Sequence, residues 1–355
     1  MTRSRVVRRT LVALAAVAVA CGYDSTGPYQ QPSGDPPAPP PPPAPSLRDG
    51  LWTSSGSDPA LLRVAPVQLA DGSGTIAAGT TVTTASASLF TLNSIAFDDA
   101  GTMWVASQND SLLLGFAAGR LETTKVAIAT RVISPNDGSL AAPTGLAFDR
   151  QKRLWVANST SGTLVRYEPV QLNSGGPQVP AATLTGIGHP TSLAFDASGA
   201  LWVSDLQSNR ILKYGPAKLA ASGSPPPDVA IDAVAKSLDT PSGLAFDALG
   251  RLWVANSGAR NFVAFTPAQL ATGGAVPPAV VITPSARSVS IPTGLAFDPA
   301  GSLWVLSGDG LLARYDSESL TGSGEPAATA SLRVNAHVLF WSLAFWPKVG
   351  GLPIN

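Results

Sequence analysis

Residues 241–256, PSGLAFDALGRLWVAN, are the stretch that decides the fold, because close copies of it recur along the chain. The copies are residues 143–158 (PTGLAFDRQKRLWVAN), 190–205 (PTSLAFDASGALWVSD) and 292–307 (PTGLAFDPAGSLWVLS), with a looser copy at 93–108. Repeats with a period of about 20–50 residues are typical of solenoids, propellers and arrays.

Each copy predicts a β-hairpin. Two short apolar runs flank the turn 247–250, and Asp at the first position with Gly at the fourth favours a type I turn. If Phe246 pairs with Leu252, then Ala245 lies opposite Trp253, and both faces of the hairpin are apolar. An isolated hairpin cannot bury both faces, whereas stacked blades can.

One turn departs from this pattern. In the copy at 149–152, Lys152 stands where the other copies have Gly. We expect strain or a different geometry at this position, because Gly tolerates backbone angles that Lys does not.

The number of repeats indicates a closed ring. A Trp of the second strand and a Phe of the first strand each occur six times, at Trp52, Trp104, Trp155, Trp202, Trp253 and Trp304, and at Phe97, Phe148, Phe195, Phe246, Phe297 and Phe345. The chain therefore begins with an unpaired second strand and ends with an unpaired first strand. The sequence predicts an all-β fold, a six-bladed β-propeller of four-stranded blades, closed by pairing the C-terminal strand with the N-terminal blade.

The rest of each repeat predicts the outer part of a blade. Third strands are expected at 164–167, 211–214, 262–265 and 311–315. Pro-x-x-Leu segments at 66–69, 169–172, 216–219 and 267–270 predict single helical turns, because Pro is favoured at the first helical position. The outermost strand, such as 279–283, is the least regular, and its prolines are expected to keep neighbours from pairing with it.

Residues 1–20 have the pattern of a secretory signal. Four arginines precede an apolar run, 11–20, that is too short to span a bilayer. The paired Arg8 and Arg9 leave the twin-arginine and general export routes both open.

The apolar run ends in AVAC, residues 18–21, which resembles a bacterial lipobox. Cys21 is the only cysteine of the chain, and acylation explains a lone thiol in an oxidising compartment. The alternative is an ordinary cleavage site beside a free thiol. Residues 21–46 are then a lipid-anchored linker, whose ten prolines predict an extended spacer, and residues 47–355 form the propeller. We expect an exported monomer, lipid-anchored to the bacterial cell envelope, in the periplasm or at the cell surface.

The charge balance argues against nucleic acid as a partner. The chain has 23 basic and 23 acidic residues, and removal of the signal takes away four arginines, which leaves 19 basic residues. A net charge of −4 with scattered basic residues does not favour a polyanionic ligand.

The repeat resembles the NHL repeat. Residues 202–214, WVSDLQSNRILKY, are the best match, including Asp205, Asn209 and Arg210, and the similarity covers 47–346. It implies a six-bladed propeller, a fold shared by binding modules, scaffolds and gluconolactonase/regucalcin-like enzymes. Those enzymes place an acidic residue and asparagines on the channel rims. This chain has Thr or Ser at the equivalent Pro-x-Gly position, so it departs there from the pattern that carries the metal and the lactonase activity in those enzymes.

The propeller predicts a ligand-binding face at one end of the channel. The first strands would contribute Asn93, Thr144, Thr191, Ser242, Thr293 and Trp341, and the ends of the second strands Ser107, Asn158, Asp205, Asn256 and Ser307. Asp205, between Asn158 and Asn256, is the candidate ligand for a divalent cation, since such ions prefer carboxylate and carbonyl oxygens. The alternative, which we favour, is that these residues cap turns.

The two histidines offer little chemistry. His189 lies on the predicted ligand face, where it could act as a general acid or base, but a surface-loop role is the simpler interpretation. His337 is expected in the last strand before closure. Two functions follow from the sequence: a non-catalytic module that binds a protein, peptide or glycan without a cofactor, which is favoured, and a metal-dependent hydrolase or lyase.

Overall fold

The computed structural model describes residues 49–55, 60–71, 73–76, 81–83, 91–121, 127–234, 237–285, 289–334 and 340–346. The predicted signal at 1–20, the lipidated Cys21, the linker at 21–46 and His337 lie outside the described residues.

The described chain is built of short strands and a few single helical turns. Its first half contains β1 (Gly50–Ser55), β2 (Ala60–Val64), α1 (Pro66–Asp71), β3 (Ser73–Ile76), β4 (Thr81–Thr83), β5 (Leu92–Phe97), β6 (Met103–Ser107), β7 (Leu112–Phe116), a 3-10 turn (Ala118–Arg120), β8 (Arg131–Ile133), β9 (Pro143–Phe148), β10 (Leu154–Asn158), β11 (Thr163–Tyr167), α2 (Pro169–Ser174) and β12 (Ala182–Leu184). Its second half contains β13 (Pro190–Phe195), β14 (Leu201–Asp205), β15 (Arg210–Tyr214), β16 (Val229–Asp232), β17 (Pro241–Phe246), β18 (Leu252–Asn256), β19 (Asn261–Phe265), α3 (Pro267–Thr272), β20 (Gly274–Ala275), β21 (Val280–Ile282), β22 (Pro292–Phe297), β23 (Leu303–Ser307), β24 (Leu311–Tyr315), a 3-10 turn (Ser317–Leu320), β25 (Ala330–Val334) and β26 (Phe340–Trp346).

These strands form a six-bladed β-propeller. Counted from the innermost strand outward, the blades are β26-β1-β2-β4, β5-β6-β7-β8, β9-β10-β11-β12, β13-β14-β15-β16, β17-β18-β19-β21 and β22-β23-β24-β25. Within each blade the strands are antiparallel. The predicted fold class and the four-stranded blades are confirmed.

The ring closes as the sequence predicts. β26, from the C-terminal end, pairs antiparallel with β1, so that Leu51 lies opposite Phe345 and Trp52 opposite Ala344. A β-bulge interrupts this register between Thr53 and Ser55. The first blade is therefore assembled from both ends of the described chain, and its hydrogen bonds hold the circle shut.

The hairpin register agrees with the pattern of the repeat. Phe246 pairs with Leu252 and Ala245 with Trp253, and all four side chains are buried. Trp253 packs in one core cluster with Phe297 of the following blade, at a ring-to-ring distance of 6.3 Å. Each Trp thus fills the space between two blades, which explains why both faces of the hairpin are apolar.

Helical turns form at three of the four predicted places. α2 and α3 begin with a capping box, in which the side chain of Gln171 or Gln269 accepts a hydrogen bond from the backbone of the capping residue. The segment at 216–219 is a hydrogen-bonded turn instead, so the prediction of a helical turn there is wrong. Gly215 stands at the capping position. Lys218 takes the place of Gln171 and Gln269, and its side chain has no oxygen that could accept a hydrogen bond from the capping residue.

The outer edges of several blades are paired, contrary to the expectation from their prolines. β16 pairs in parallel with β20, and β25 pairs in parallel with β3. Single parallel bridges join Ile133 to Gly176, Leu184 to Gly223 and Ile282 to Gly324. In each case a segment that follows the third strand of one blade covers the outermost strand of the preceding blade, which protects that edge.

The ring has two distinct ends. The loop end carries the connections from second to third strands, at 108–111, 159–162, 206–209, 257–260 and 308–310. The opposite end, which we call the entry end, carries the hairpin turns at 98–101, 149–152, 196–199, 247–250 and 298–301, together with α1, α2 and α3. β1 begins and β26 finishes at the entry end. Among the described helices none is both long and apolar enough to cross a membrane.

Candidate functional site

The predicted residues from the second strands are buried at the loop end. Ser107, Asn158, Asp205, Asn256 and Ser307 are the last residues of β6, β10, β14, β18 and β23. None of these residues is more than 4% exposed. Polar side chains so deeply buried require hydrogen-bond partners, which indicates what each one does.

The two asparagines hold the loops that lead into the first strands. The amide oxygen of Asn158 accepts from the backbone of Ala141 at 3.2 Å, and its amide nitrogen donates to the Ser139 carbonyl at 2.8 Å. Asn256 repeats this arrangement with the backbone N–H of Asp239, at 2.6 Å, and the carbonyl of Ser237, at 2.9 Å. Each side chain replaces backbone partners that an irregular loop lacks.

Asp205 is enclosed in the same way. Its Oδ1 accepts from the backbone of His189 at 2.8 Å and of Gln207 at 3.2 Å, and its Oδ2 accepts from the hydroxyl of Ser208. Gly188 packs directly on the carboxylate, because a Cβ at this glycine would lie 2.7 Å from Oδ1 and 2.8 Å from Oδ2. Protein donors and the Gly188 backbone therefore occupy the space around both oxygens.

This environment does not fit a divalent cation. Such an ion needs several oxygens and room beside them, whereas Asp205 faces N–H and O–H donors. Among the residues that the structure describes, His, Cys, Asp and Glu nowhere form a group of three or more that could hold a metal. We derive no chemistry from a metal at this position.

The pKa of Tyr214 is raised by burial and, to a smaller extent, by the charge of Asp205. The residue is 2% exposed, and the pKa of its hydroxyl rises to about 12. Burial also raises the pKa of Tyr167, the equivalent residue of the preceding blade. Both phenols therefore stay neutral well above the pH at which an exposed tyrosine ionises.

The hydroxyls of the first strands join neighbouring blades around the channel. Thr144 donates to the carbonyl of Pro190 at 2.9 Å, Thr191 to Pro241 at 3.2 Å, and Ser242 to Pro292 at 3.2 Å. Each acceptor is the first residue of the next innermost strand. The hydroxyl residues lie where the register of the hairpin shifts, and such bulges redirect a side chain out of the regular alternation.

Thr293 makes the same bond within its own blade as the other hydroxyl residues, whereas Asn93 has a different partner. The amide of Asn93 donates to Oε1 of Gln108 at 2.7 Å, and the hydroxyl of Thr293 donates to the Leu306 carbonyl at 3.3 Å. Trp341 lies in β26. Thr144, Thr191 and Ser242 are thus equivalent links between blades.

A second ring of serines was not singled out from the sequence. Ser94 accepts from the backbone of Leu146 at 3.1 Å, Ser192 from Leu244 at 3.3 Å, and Ser342 from Ile95 at 3.3 Å. They occupy the Gly or Ser position of the Pro-x-Gly motif. The occurrence of either Gly or Ser at this position was the sequence signal for these contacts. A Ser can form a hydrogen bond with the innermost strand of the neighbouring blade, and a Gly allows the two backbones to lie close together.

His189 is half-buried in the loop before β13. Its backbone N–H is bound by Asp205 and its carbonyl accepts from Leu206 at 3.0 Å. No described carboxylate forms an ion pair with its imidazole. The contact between His189 and Asp205 is made by the backbone of His189 and not by its imidazole. It holds the loop in place and does not form an acid–base pair.

Exposed polar groups occur two to four residues beyond the strand ends. We call Asn109, Gln207, Arg260 and Asp309 the rim surface; all four are exposed at the loop end and come from four different blades. The φ of Arg260 is positive, at 57°, as is that of the residues at the same position of the other four turns, Ser111, Gly162, Asn209 and Gly310. Sequence reasoning placed the binding face on the strand ends and missed these neighbours, because turn residues carry no repeat pattern of their own.

The fold and the loop-end geometry define a six-bladed β-propeller, and solved structures of this class are similar. Virginiamycin B lyase from Staphylococcus aureus is 12% identical, with a TM-score of 0.53, over 77% of this chain and 79% of that one. A streptogramin B lyase is 10% identical, with a TM-score of 0.52, over 76% and 80% of the two chains. A protein of unknown function from Bacteroides caccae is 12% identical, with a TM-score of 0.55, over 82% and 97%.

These likenesses concern the fold, since identities of 10–12% carry no information about residues of a site. No known protein family matches the sequence, and no curated protein does.

Proposed function

We propose that this protein is a lipid-anchored β-propeller of the bacterial cell envelope that binds a protein, peptide or glycan at its loop end without catalysing a reaction. The observation that carries the proposal is the environment of Asp205. A carboxylate that accepts three hydrogen bonds from its own loops and packs against Gly188 is a structural cap. The rim surface, by contrast, is exposed to solvent at the loop end.

The chemistry of the rim surface suits a polar ligand. Asn109 and Gln207 bring amides, Arg260 a guanidinium and Asp309 a carboxylate. The loop end therefore offers neutral, positively charged and negatively charged hydrogen-bonding groups. Such groups bind the backbone of a peptide or the hydroxyls of a glycan. The hydroxyls of the channel are already bonded to neighbouring blades and hold the ring rigid beneath this surface.

An enzymatic function is the second candidate. Two of the similar solved structures are lyases by name, and His189 is the group at this end that could transfer a proton near neutral pH. It lacks a described carboxylate partner for its imidazole, so we place this candidate second.

The experiment that tests the binding role uses two matched variants. Arg260 at the loop end and Lys152 at the entry end are both exposed turn residues with positive φ, 57° and 62°. Arrays of envelope glycans and peptides are probed with the full-length protein, with Arg260→Glu and with Lys152→Glu. We expect a bound ligand whose affinity falls at least tenfold in Arg260→Glu and stays within about twofold in Lys152→Glu.

Binding that is lost only in Lys152→Glu would place the ligand at the wrong end, and an array without any bound ligand would remove the binding role. Conversion of a bound ligand into product, abolished by His189→Ala, would establish the lyase or hydrolase instead.

A further inference from the structure

Exposed apolar side chains gather at the entry end of the ring. Of the large apolar side chains exposed in the described parts of the chain, Val67, Val170, Val179, Leu249 and Ile128 all lie there, and each is between 54% and 72% exposed. Val132 lies on the outer wall, and Ile291 is at the loop end. Isolated exposed apolar residues are ordinary, but these five share one end of the ring, which makes that end a candidate contact surface.

The local structure explains why these side chains point outward. Val67 and Val170 are the second residues of α1 and α2, whereas Leu172, two positions after Val170, is buried. The single helical turn therefore presents its Val to solvent and its Leu to the core. Leu249 is the third residue of a hairpin turn, where no neighbouring strand can cover it.

The chain enters the ring at this same end. Gly50, the first residue of β1, pairs with Trp346, the last residue of β26, so residue 49 emerges beside the hairpin turns. The predicted spacer at 22–46 and the predicted lipid on Cys21 precede residue 49 in the chain. The point of attachment and the exposed valines are thus on one side of the propeller.

We propose that the entry end is a membrane-contact surface, in which Val67, Val170, Val179 and Leu249 rest in the interfacial region of the bilayer that holds the lipid on Cys21. This inference rests on the lipid anchor of the proposed function. A tether keeps the domain at a high effective concentration near the bilayer, so a few shallow apolar contacts suffice to orient it. The loop end and its rim surface then face away from the membrane, toward a ligand in the aqueous space.

The contact is apolar rather than electrostatic. Two basic side chains at the entry end are paired with acidic ones, Lys152 with Asp99 at 3.3 Å and Lys218 with Asp228 at 2.7 Å, and Arg150 donates to the Ala197 carbonyl at 2.6 Å. The two ion pairs offset positive charge that would otherwise attract anionic headgroups. The orientation is therefore expected to persist at high salt, which weakens only contacts between charges.

Site-specific fluorescence tests this orientation. Because the thiol of Cys21 would be acylated, Leu249→Cys and Ile291→Cys each introduce the only free thiol for a bimane label. The mature, full-length lipoprotein is reconstituted into phosphatidylcholine vesicles with ordinary or brominated acyl chains. We expect brominated lipid to quench the label at 249 at least twofold and to leave the label at 291 unchanged, with the same result in 0.1 M and 1 M salt.

A second variant separates the valines from the anchor. Val67→Ser, Val170→Ser and Val179→Ser combined should still float with the vesicles but lose the quenching at 249. Protein that does not float overturns the anchor and this inference together. Protein that floats with equal quenching at both positions overturns the orientation alone. A label at 249 that is shielded from water yet not quenched by bromine would assign the surface to another part of this chain or a second copy, and would likewise overturn membrane contact.

Discussion

The indole nitrogen of Trp253 donates a 2.9 Å hydrogen bond to Oδ2 of Asp247, which ties the second strand of a blade to the turn before it. Oδ1 of the same Asp accepts from the backbone of Leu249 and Arg251, so one carboxylate organises the whole turn. The pair recurs at Trp155 and Asp149, Trp202 and Asp196, and Trp304 and Asp298. The Asp and Trp of the repeat are thus structural partners rather than groups of a reactive site.

Trp104 provides a natural control for this pair. Among the described residues its indole nitrogen has no acceptor, although the side chain is buried. Trp253→Phe removes a hydrogen bond to a carboxylate, whereas Trp104→Phe removes none. We expect Trp253→Phe to lower the free energy of unfolding by about 1.5 kcal/mol more than Trp104→Phe. Chemical denaturation of both variants measures the difference, and equal losses would show that the bond contributes nothing.

Lys152 carries backbone strain that glycine would relieve. It has a φ of 62°, and Gly occupies the equivalent position in the other turns. The turn keeps the hydrogen bond of the other turns, in which the backbone N–H of Lys152 donates to the Asp149 carbonyl at 2.9 Å. Lys152→Gly and Lys152→Ala both remove the exposed ion pair with Asp99, so their difference isolates the backbone. We expect the Gly variant to be more stable than the Ala variant by about 1 kcal/mol in thermal unfolding; an Ala variant of equal or greater stability would show that the turn is unstrained.

Closure of the ring is tested by two truncations. A chain that stops after residue 339 lacks β26 and leaves β1 as an unpaired edge, so we expect aggregation or a large loss of stability. A chain that stops after Trp346 keeps the strand and serves as the control. Size-exclusion chromatography and thermal unfolding compare them, and a monomeric shorter chain with an unchanged melting temperature would refute closure by β26.

The buried tyrosines predict a loss of stability at alkaline pH. Because the fold raises the pKa of Tyr214 from about 10 to about 12, its neutral form contributes stability that is complete below pH 10 and lost between pH 10 and 12. Two pKa units correspond to about 2–3 kcal/mol at most. Tyr214→Phe should make the decline between pH 10 and 12 shallower in denaturant titrations. An identical decline in both proteins would mean that Tyr214 ionises freely.

The six-bladed fold could be predicted from the sequence because the same hairpin repeat occurs several times along the chain. The pattern of apolar residues around Ala245 and Trp253 predicted the pairing register of the first and second strands. The Trp series begins one strand before the Phe series, and this offset predicted closure of the ring by the two chain ends. These features depend on local patterns and on counting, which a single sequence contains. Lys152 is an exception that the sequence shows for the same reason, since four other turns define what is usual there.

The site was harder to predict because burial is not a local property. Asn158, Asp205 and Asn256 stand at strand ends where a ligand could bind, and the favoured alternative of turn caps depended on loops of irregular sequence. Gly188 could not be linked to Asp205 without coordinates. The parallel pairing of β20 with β16 joins segments from different blades, and nothing in either segment alone indicates it.

The measurement that tests the account most directly is the metal content of the purified protein, with calcium and zinc titrations, for the wild type, Asp205→Asn and Asp205→Ala. If Asp205 is a cap, Asp205→Ala lowers stability by about 1–3 kcal/mol, since it leaves the loop donors unpaired, and no protein binds a stoichiometric metal. Asp205→Asn, which keeps one acceptor oxygen, should lose less stability. Stoichiometric calcium or zinc in the wild type that disappears in both variants would contradict the account and make Asp205 a metal ligand.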